Sequence, residues 1–523
     1  MAIPPDEKMA ASDAAESDTS SNTSEFHTPT SSTSSTSSDT FESDAPTSST
    51  SDNSVTAPDS LNRSMTIWNS FTMGFAVVSP VVGLYAIFGL QMVVTGGGWI
   101  VALALCLVMQ MLVATVYAEL SSQFPISGGA YKWSRQLGGA VAGQYAGVIY
   151  VSSTIAMLTT TAYTGGIWLA TVYGSTGLPN VEGWAGGTMM VFWGAIFLFL
   201  CMALNLAHVR IFKIFTAMSI YVEIFGSFGI AVLLFFFYRE NSFSELFQHL
   251  GTGTAPGEMA AFLAAVAIAG WAFIGFDACS TTAEEVRDPK RQVPRAIFLA
   301  LSVVGTVSLF NTTSLTLAFD HEAVIAASNT ADPLTPLIAS KFGSWIADYF
   351  AVIVLFAFFI CGSSVVKYTS RIIFSMAREG NMPAVLSNVT ASKTPRNAIL
   401  FTVIMASLGL MLGLNDNAVA TIIAFGTGGL YAMFAMTTGV GLFCRLTGRW
   451  DPELGHLKLG AWGLPINAMA FVWAMFELIN IGWPRAYTIS PDAPWYLLWA
   501  IPIVLGGLMG ITTLVILINR IRK

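Results

Sequence analysis

Beyond Arg63 the chain reads as long apolar runs separated by short polar breaks. Twelve runs are long enough to cross a bilayer, near 68–91, 98–119, 140–171, 187–206, 212–238, 259–284, 296–318, 345–373, 397–414, 418–444, 462–482 and 494–518. A spanning helix needs about 20 residues; the third run is long enough to tilt, and the ninth is short. The pattern predicts an all-α polytopic membrane protein of twelve transmembrane helices.

Two of the runs are interrupted near their middles. Run 6 begins as small apolar residues from Met259 to Ile274, then places Gly275, Phe276, Asp277, Ala278, Cys279 and Ser280 near the expected bilayer centre. An ionisable residue at that depth is costly without a partner and marks a candidate functional site. Run 1 carries Ser79-Pro80 and Gly83 at its middle. Proline removes a helix hydrogen bond and clashes with the preceding turn. A proline kink or a packing glycine explains either break alone. Their spacing, five spans apart, is the sequence signature of an inverted-repeat transporter, in which half-helix ends face a ligand at the midplane. Gly139, Gly143 and Gly147, at four-residue intervals in run 3, predict a face for close helix packing.

Composition supports the membrane class: 54% of the residues are hydrophobic, 11% are charged, and mean hydropathy is +0.63. The net charge of −7 is carried by the tail, since residues 1–60 hold eleven acidic side chains and one base, Lys8. That Ser/Thr/Asp-rich segment has too few large apolar residues to offset its chain entropy and is expected to be disordered. The remainder is only slightly basic, which gives no support to a nucleic-acid partner.

The bases are unevenly placed. Loops after even-numbered runs, together with the termini, carry Arg63, Lys132, Arg135, Arg210, Lys213, Arg287, Lys290, Arg291, Arg295, Arg378, Lys393, Arg396, Arg445, Arg449, Lys458, Arg520, Arg522 and Lys523, against Arg239, Lys341 and Arg485 in the other loops. The positive-inside rule then predicts that both termini are cytoplasmic. The five cysteines (Cys106, Cys201, Cys279, Cys361, Cys444) match no zinc or redox spacing. With five scattered histidines and no nucleophile elbow, neither an enzyme nor a metal or cofactor site is expected.

Four local patterns, in order, resemble the amino acid–polyamine–organocation transporter superfamily. They are YAELSSQFPISGGAYKW at 117–133, LNLAHVRIFKIFTAMSIYVEIFG at 204–226, GFDACSTTAEEVRDPKRQVPRAI at 275–297 and SRIIFSMAREGNMP at 370–383, with Glu379 where aspartate is usual. The resemblance covers about 64–520. It implies a five-plus-five inverted repeat in a core over 61–450, two peripheral helices over 451–523, and alternating access around a midplane site. It also implies a small-molecule substrate (an amino acid, γ-aminobutyrate, a polyamine or choline), a proton as the usual coupling ion, lipid around the helices, and a plasma-membrane location.

Within such a core, the break at Ser79, Pro80, Val81, Val82 and Gly83 frees amide N–H groups at a positive helix end, suited to a substrate carboxylate. Carbonyls near Ala272–Gly275 suit an ammonium group. Trp271, Phe273 and Phe276 either wall the pocket or pack the helix, and Asp277 either faces the substrate or bonds a neighbour. For ion coupling the candidates are Glu223 and Lys367, the latter beside Ser363 and Ser364. Lys367 either takes the position that a cation holds in sodium-driven relatives or extends past Arg371 to the membrane surface. Glu119, Glu284, Glu285, Arg287, Arg295 and Arg371 are expected to close a cytoplasmic gate through salt bridges, with simple surface solvation as the competing account. The leading expectation is a proton-coupled amino acid permease; the alternatives are an organic-cation uptake system and a non-transporting nutrient sensor.

Overall fold

A computed structural model describes residues 66–175, 186–207, 209–330, 332–390, 394–488 and 494–521. The acidic tail of the sequence reading lies outside these residues. Twelve helices among the described residues are long and apolar enough to span a bilayer: Ile67–Tyr85, Ile100–Gln123, Gly129–Tyr173, Gly187–Leu206, Val209–Phe237, Glu258–Thr281, Pro289–Ala318, Ser344–Arg378, Arg396–Leu414, Ala420–Leu446, Gly460–Gly482 and Ala500–Ile518. They are spans 1 to 12 below. The protein is an all-α integral membrane protein, and the described residues form no strand apart from one isolated bridge, Gly96 to Leu250.

Burial sorts the spans. Spans 1 and 8 are 83% and 72% buried within the protein, so they form its centre; span 12 is only 17% buried and lies at the edge. Span 3 packs along spans 8 and 10, span 2 along span 7, and span 11 along spans 10 and 2.

Several expected boundaries and one internal turn differ in the structure. Run 1 does not continue to 91: span 1 stops at Tyr85, and a separate helix, Phe88–Thr95, follows. Span 3 begins earlier, at Gly129, and Gly139 interrupts it with φ +82°, so that glycine turns the chain rather than extending a packing face. Gly147 does make a close contact, since a methyl group there would lie 2.5 Å from Met376 Cε. Span 12 starts at Ala500, because Pro494 opens a separate turn, Trp495–Leu498. Span 5 contains a π-helical turn at Glu223–Phe228, a wide turn that apolar periodicity cannot reveal.

On the face opposite the basic loops, the 5–6 loop is laced to the segment after span 1. Gly97 N–H donates to His249 O (3.0 Å), Gly251 N–H to Thr95 O (2.8 Å), and Ala255 N–H to Val94 O (3.0 Å).

Candidate functional site

Span 1 stops being α-helical at Ser79. The first segment ends at Val78 and the second starts at Pro80, with Ser79 at φ +38°, ψ 117° between them. A non-glycine residue with positive φ is uncommon, and here its neighbours hold it. Pro80 lacks an N–H and fits the first helical position. The Ser79 hydroxyl oxygen caps the second half by accepting from Val82 N–H at 3.1 Å. The same hydroxyl donates to Glu223 Oε2 at 2.7 Å, and Val81 N–H approaches that oxygen at 3.5 Å, the long limit of a hydrogen bond. Ser219, one turn back on span 5, donates to Glu223 Oε1 at 2.7 Å.

The amides expected to be free are therefore taken up inside the protein. Ser79 N–H bonds Phe75 O, Gly83 N–H bonds Ser79 O, and Val81 and Val82 turn to Glu223 and Ser79. A carboxylate of the protein itself occupies the positive end of the second half-helix. The π turn begins at Glu223, which is 1% exposed.

Span 6 breaks at the same level. Its α-helix Glu258–Ala269 tightens into a 3₁₀ turn, Gly270–Phe273, and then extends through Ile274. Gly275 takes φ +86°, and a methyl group there would lie 2.5 Å from Val77 Cγ1. Both conformation and space select glycine. Span 6 meets span 1 where a methyl group on Gly83 would sit 3.0 Å from Ala272 O. The two interruptions are in direct contact.

Asp277, fully buried, lies two residues beyond Gly275. Its Oδ2 accepts from Tyr150 of span 3 and from Tyr368 of span 8 (2.8 Å), whose hydroxyl is also 2.9 Å from that of Tyr150. Asp277 Oδ1 has no hydrogen-bond partner among the described residues. Neither tyrosine stood out in the sequence, because a lone tyrosine in an apolar run reads as packing. Trp271 and Phe273 are buried, and Phe276 packs between Tyr117 and Phe434, 5.7 and 5.4 Å between ring centroids.

Lys367 belongs to another neighbourhood. Its Nζ lies 4.7 Å from the centre of the Phe212 ring near the start of span 5, and its charge acts on Glu285. No described bond joins Lys367 to Glu223. The Ser364 hydroxyl has no partner among the described residues, the Ser363 side chain lies beside Cys201, and Ser363 O accepts from Asn205 Nδ2 at 2.8 Å.

The charges grouped together in the sequence separate into three contacts on the basic face. Glu285 pairs with Arg371 at 2.8 Å; burial alone would raise its carboxyl, but Arg371, Lys367 and Lys213 together pull it below the ordinary range. Glu284 accepts from Ser127 N–H at 3.0 Å and lies 3.6 Å from Arg378. Glu119 instead bonds Arg445 and Leu459 N–H (3.2 Å), tying span 2 to span 10 and the loop beyond it. Arg287 and Arg295 are exposed. A hub not anticipated is Glu379, which gathers Lys132, Arg135 (3.0 Å) and Tyr131 (2.5 Å). Its departure from the usual aspartate was the available signal.

Twelve spans around two touching interruptions, with buried carboxyl groups at both, define a polytopic membrane transporter. The family model for amino acid permeases matches residues 66–508, and the chain belongs to that family. Among its relatives it is 24% identical to the amino-acid permease BAT1 of Arabidopsis thaliana, over 86% of this chain and 90% of that one. It is 21% identical to the choline transporter of Saccharomyces cerevisiae (83% and 78% covered) and 26% identical to the glutamate/serine transporter AimA of Bacillus subtilis (77% and 77%).

Proposed function

We propose that this protein imports an amino acid, γ-aminobutyrate-like substrates included, across the plasma membrane together with a proton. Alternating access would take place in the 61–450 core, with 451–523 peripheral and both termini cytoplasmic. The observation that carries this reading is Glu223 seated on the positive end of the second half of span 1, through Ser79 (2.7 Å).

The chemistry follows from competition for one place. A substrate carboxylate and an ionised Glu223 both seek the Ser79 hydroxyl and the Val81 amide, and two negative charges in a low-dielectric site repel. A proton from outside, placed on Glu223, removes its charge and releases those donors to the substrate. The substrate's ammonium group then meets the carbonyl end of span 6 near Trp271–Phe273, a negative helix end. On the cytoplasmic side Glu223 returns the proton, recovers Ser79 and Val81, and displaces the carboxylate. One proton moves with each substrate. The ion pairs Glu285–Arg371 and Glu284–Arg378 would close the inward gate while the site faces out.

The test is uptake into proteoliposomes with an inward proton gradient, comparing labelled γ-aminobutyrate, a mixture of α-amino acids and choline, with and without a protonophore. Protonophore-sensitive amino acid uptake is the expected result. Glu223→Gln should lose gradient-driven accumulation by about tenfold or more while keeping substrate exchange, because exchange needs no net proton movement. Equal loss of both would overturn the role given to Glu223.

A second reading, organic-cation uptake, has one observation in its favour: the unpartnered Asp277 Oδ1 beside buried aromatic rings. Choline uptake unaffected by amino acid competitors would establish it and reject the carboxylate site at span 1.

A further inference from the structure

A second buried polar cluster lies away from both interruptions, between spans 2, 6, 10 and 11. Its centre is Glu477 of span 11, fully buried, with one hydrogen-bond partner among the described residues, Asn480 Nδ2 at 3.4 Å from Oε1. Oε2 has none. The Tyr431 hydroxyl of span 10 lies beside Trp473, and Gln110 of span 2 takes the Trp473 indole N–H on its Oε1 at 3.3 Å while its Nε2 has no partner among the described residues. The Cys106 thiol on span 2 and the Tyr431 hydroxyl lie within electrostatic reach of Glu477. Arg485, in the loop after span 11, acts on Glu477 through its charge but forms no ion pair with it among the described residues; its Nη2 bonds Asn480 Oδ1 at 2.5 Å and its Nη1 bonds Asn480 O.

Span 6 enters this cluster with backbone alone. A methyl group on Gly270 would lie 3.5 Å from Glu477 Oε2, 3.2 Å from Tyr431 Cε2 and 3.5 Å from Thr427 Cγ2. Gly270 is where span 6 leaves α geometry, two residues before the Ala272 carbonyl that abuts Gly83. Thr427 also lines a cavity of about 80 Å³ between spans 6, 10 and 11, whose rim includes Arg485. That is room for several waters, each of which needs roughly 10–15 Å³. The cluster therefore touches the span 6 interruption on one side and, through Thr427, this cavity on the other.

We propose that Glu477 is a second proton-binding site, separate from the substrate pocket, whose occupancy sets the position of the outer half of span 6. Burying an ionised carboxyl without a paired cation is costly. The carbonyl end of the helix Glu258–Ala269 adds a negative dipole beside it. A proton is the ligand that relieves both. Losing it puts a charge against Gly270 and pushes on the segment that reaches Gly83. The Tyr431 hydroxyl can donate to the ionised form or accept from the protonated one, whereas the Gln110 amide N–H can only donate.

The test uses the full-length transporter in liposomes with equal pH on both sides, so that no gradient drives transport, and measures substrate exchange across external pH. Wild type should change by about fivefold or more between acidic and neutral medium, the usual size of coupling between two sites. Glu477→Gln, locked in the neutral form, should flatten that profile, and its infrared spectrum should lack one pH-dependent carboxylic-acid C=O band. Tyr431→Phe should shift the midpoint of that band. A profile and spectrum unchanged in Glu477→Gln would overturn the proposal. If Glu477→Gln does not fold, an unshifted band in Tyr431→Phe would overturn it as well. Failure of the Glu223 mechanism gives a different result: Glu223→Gln then loses exchange and gradient-driven accumulation equally, while the Glu477 band remains.

Discussion

The carboxyl groups at the interruptions and those on the basic face are solvated in opposite ways. Glu223 and Asp277 are served by hydroxyls, from Ser79, Ser219, Tyr150 and Tyr368. Glu119, Glu284, Glu285 and Glu379 are served by arginines and lysines. A hydroxyl can donate to an ionised carboxylate and accept from a protonated one, so a group held by hydroxyls can change charge without rebuilding its surroundings. A guanidinium only donates, and it fixes its partner as an anion. The difference separates the part of the molecule where charge can come and go from the part where charge holds helices together.

The comparison breaks most visibly at the ion pairs. Removing one member of a buried pair leaves the other uncompensated, at a cost of about 3–5 kcal/mol. Arg371→Ala should therefore lower the thermal midpoint in detergent markedly, and pairing it with Glu285→Ala should recover part of the loss. If the double variant is no more stable than the single one, Glu285–Arg371 is not the closed unit described here.

A smaller effect is expected at the hydroxyls. Tyr368→Phe removes one donor from Asp277 but leaves Tyr150, and should cost about 1–3 kcal/mol. The ring is retained, so its contact with Tyr150 at 5.6 Å should keep the helices in place. A measured loss as large as that of Arg371→Ala would erase the distinction between the two regions.

The smallest effect should come from acid. Glu285 sits below its ordinary carboxyl value of 4.5 in the folded protein, because its cationic neighbours outweigh burial. Its contribution is therefore fully present above that unfolded value and declines as pH falls through the lower folded one. Thermal midpoints measured from neutral to strongly acidic pH should fall late, and Glu285→Gln should remove that late component.

Much of this architecture is legible in the residues. Apolar run length gives twelve spans, and Ser79-Pro80 and Gly275 mark both interruptions, because backbone breaks are written locally in proline and glycine. Partnership is not written locally. Glu223 lies 144 positions from the Ser79 hydroxyl it holds, and Tyr150 lies 127 from Asp277. Glu119 read as part of a cluster with Glu284 and Arg371 because all were charges at span ends, yet its partner, Arg445, comes from a helix that the motif does not include. Glu477 escaped notice because a lone carboxyl on a peripheral helix belongs to no pattern.

The lacing of the 5–6 loop to the segment after span 1 has a consequence for how freely this surface can change. Its stitches are main chain to main chain, as in Thr254 N–H to Val93 O at 3.0 Å, so they do not depend on which side chains the loop displays. Where the two segments press together, identity is fixed. Any side chain on Gly96 would collide with Thr252 and the His249 carbonyl, and a methyl group on Gly253 would lie 2.6 Å from the Val93 carbonyl. Where neither such a glycine nor a side-chain bond intervenes, the loop can change its side chains while the main-chain bonds still join it to the segment after span 1.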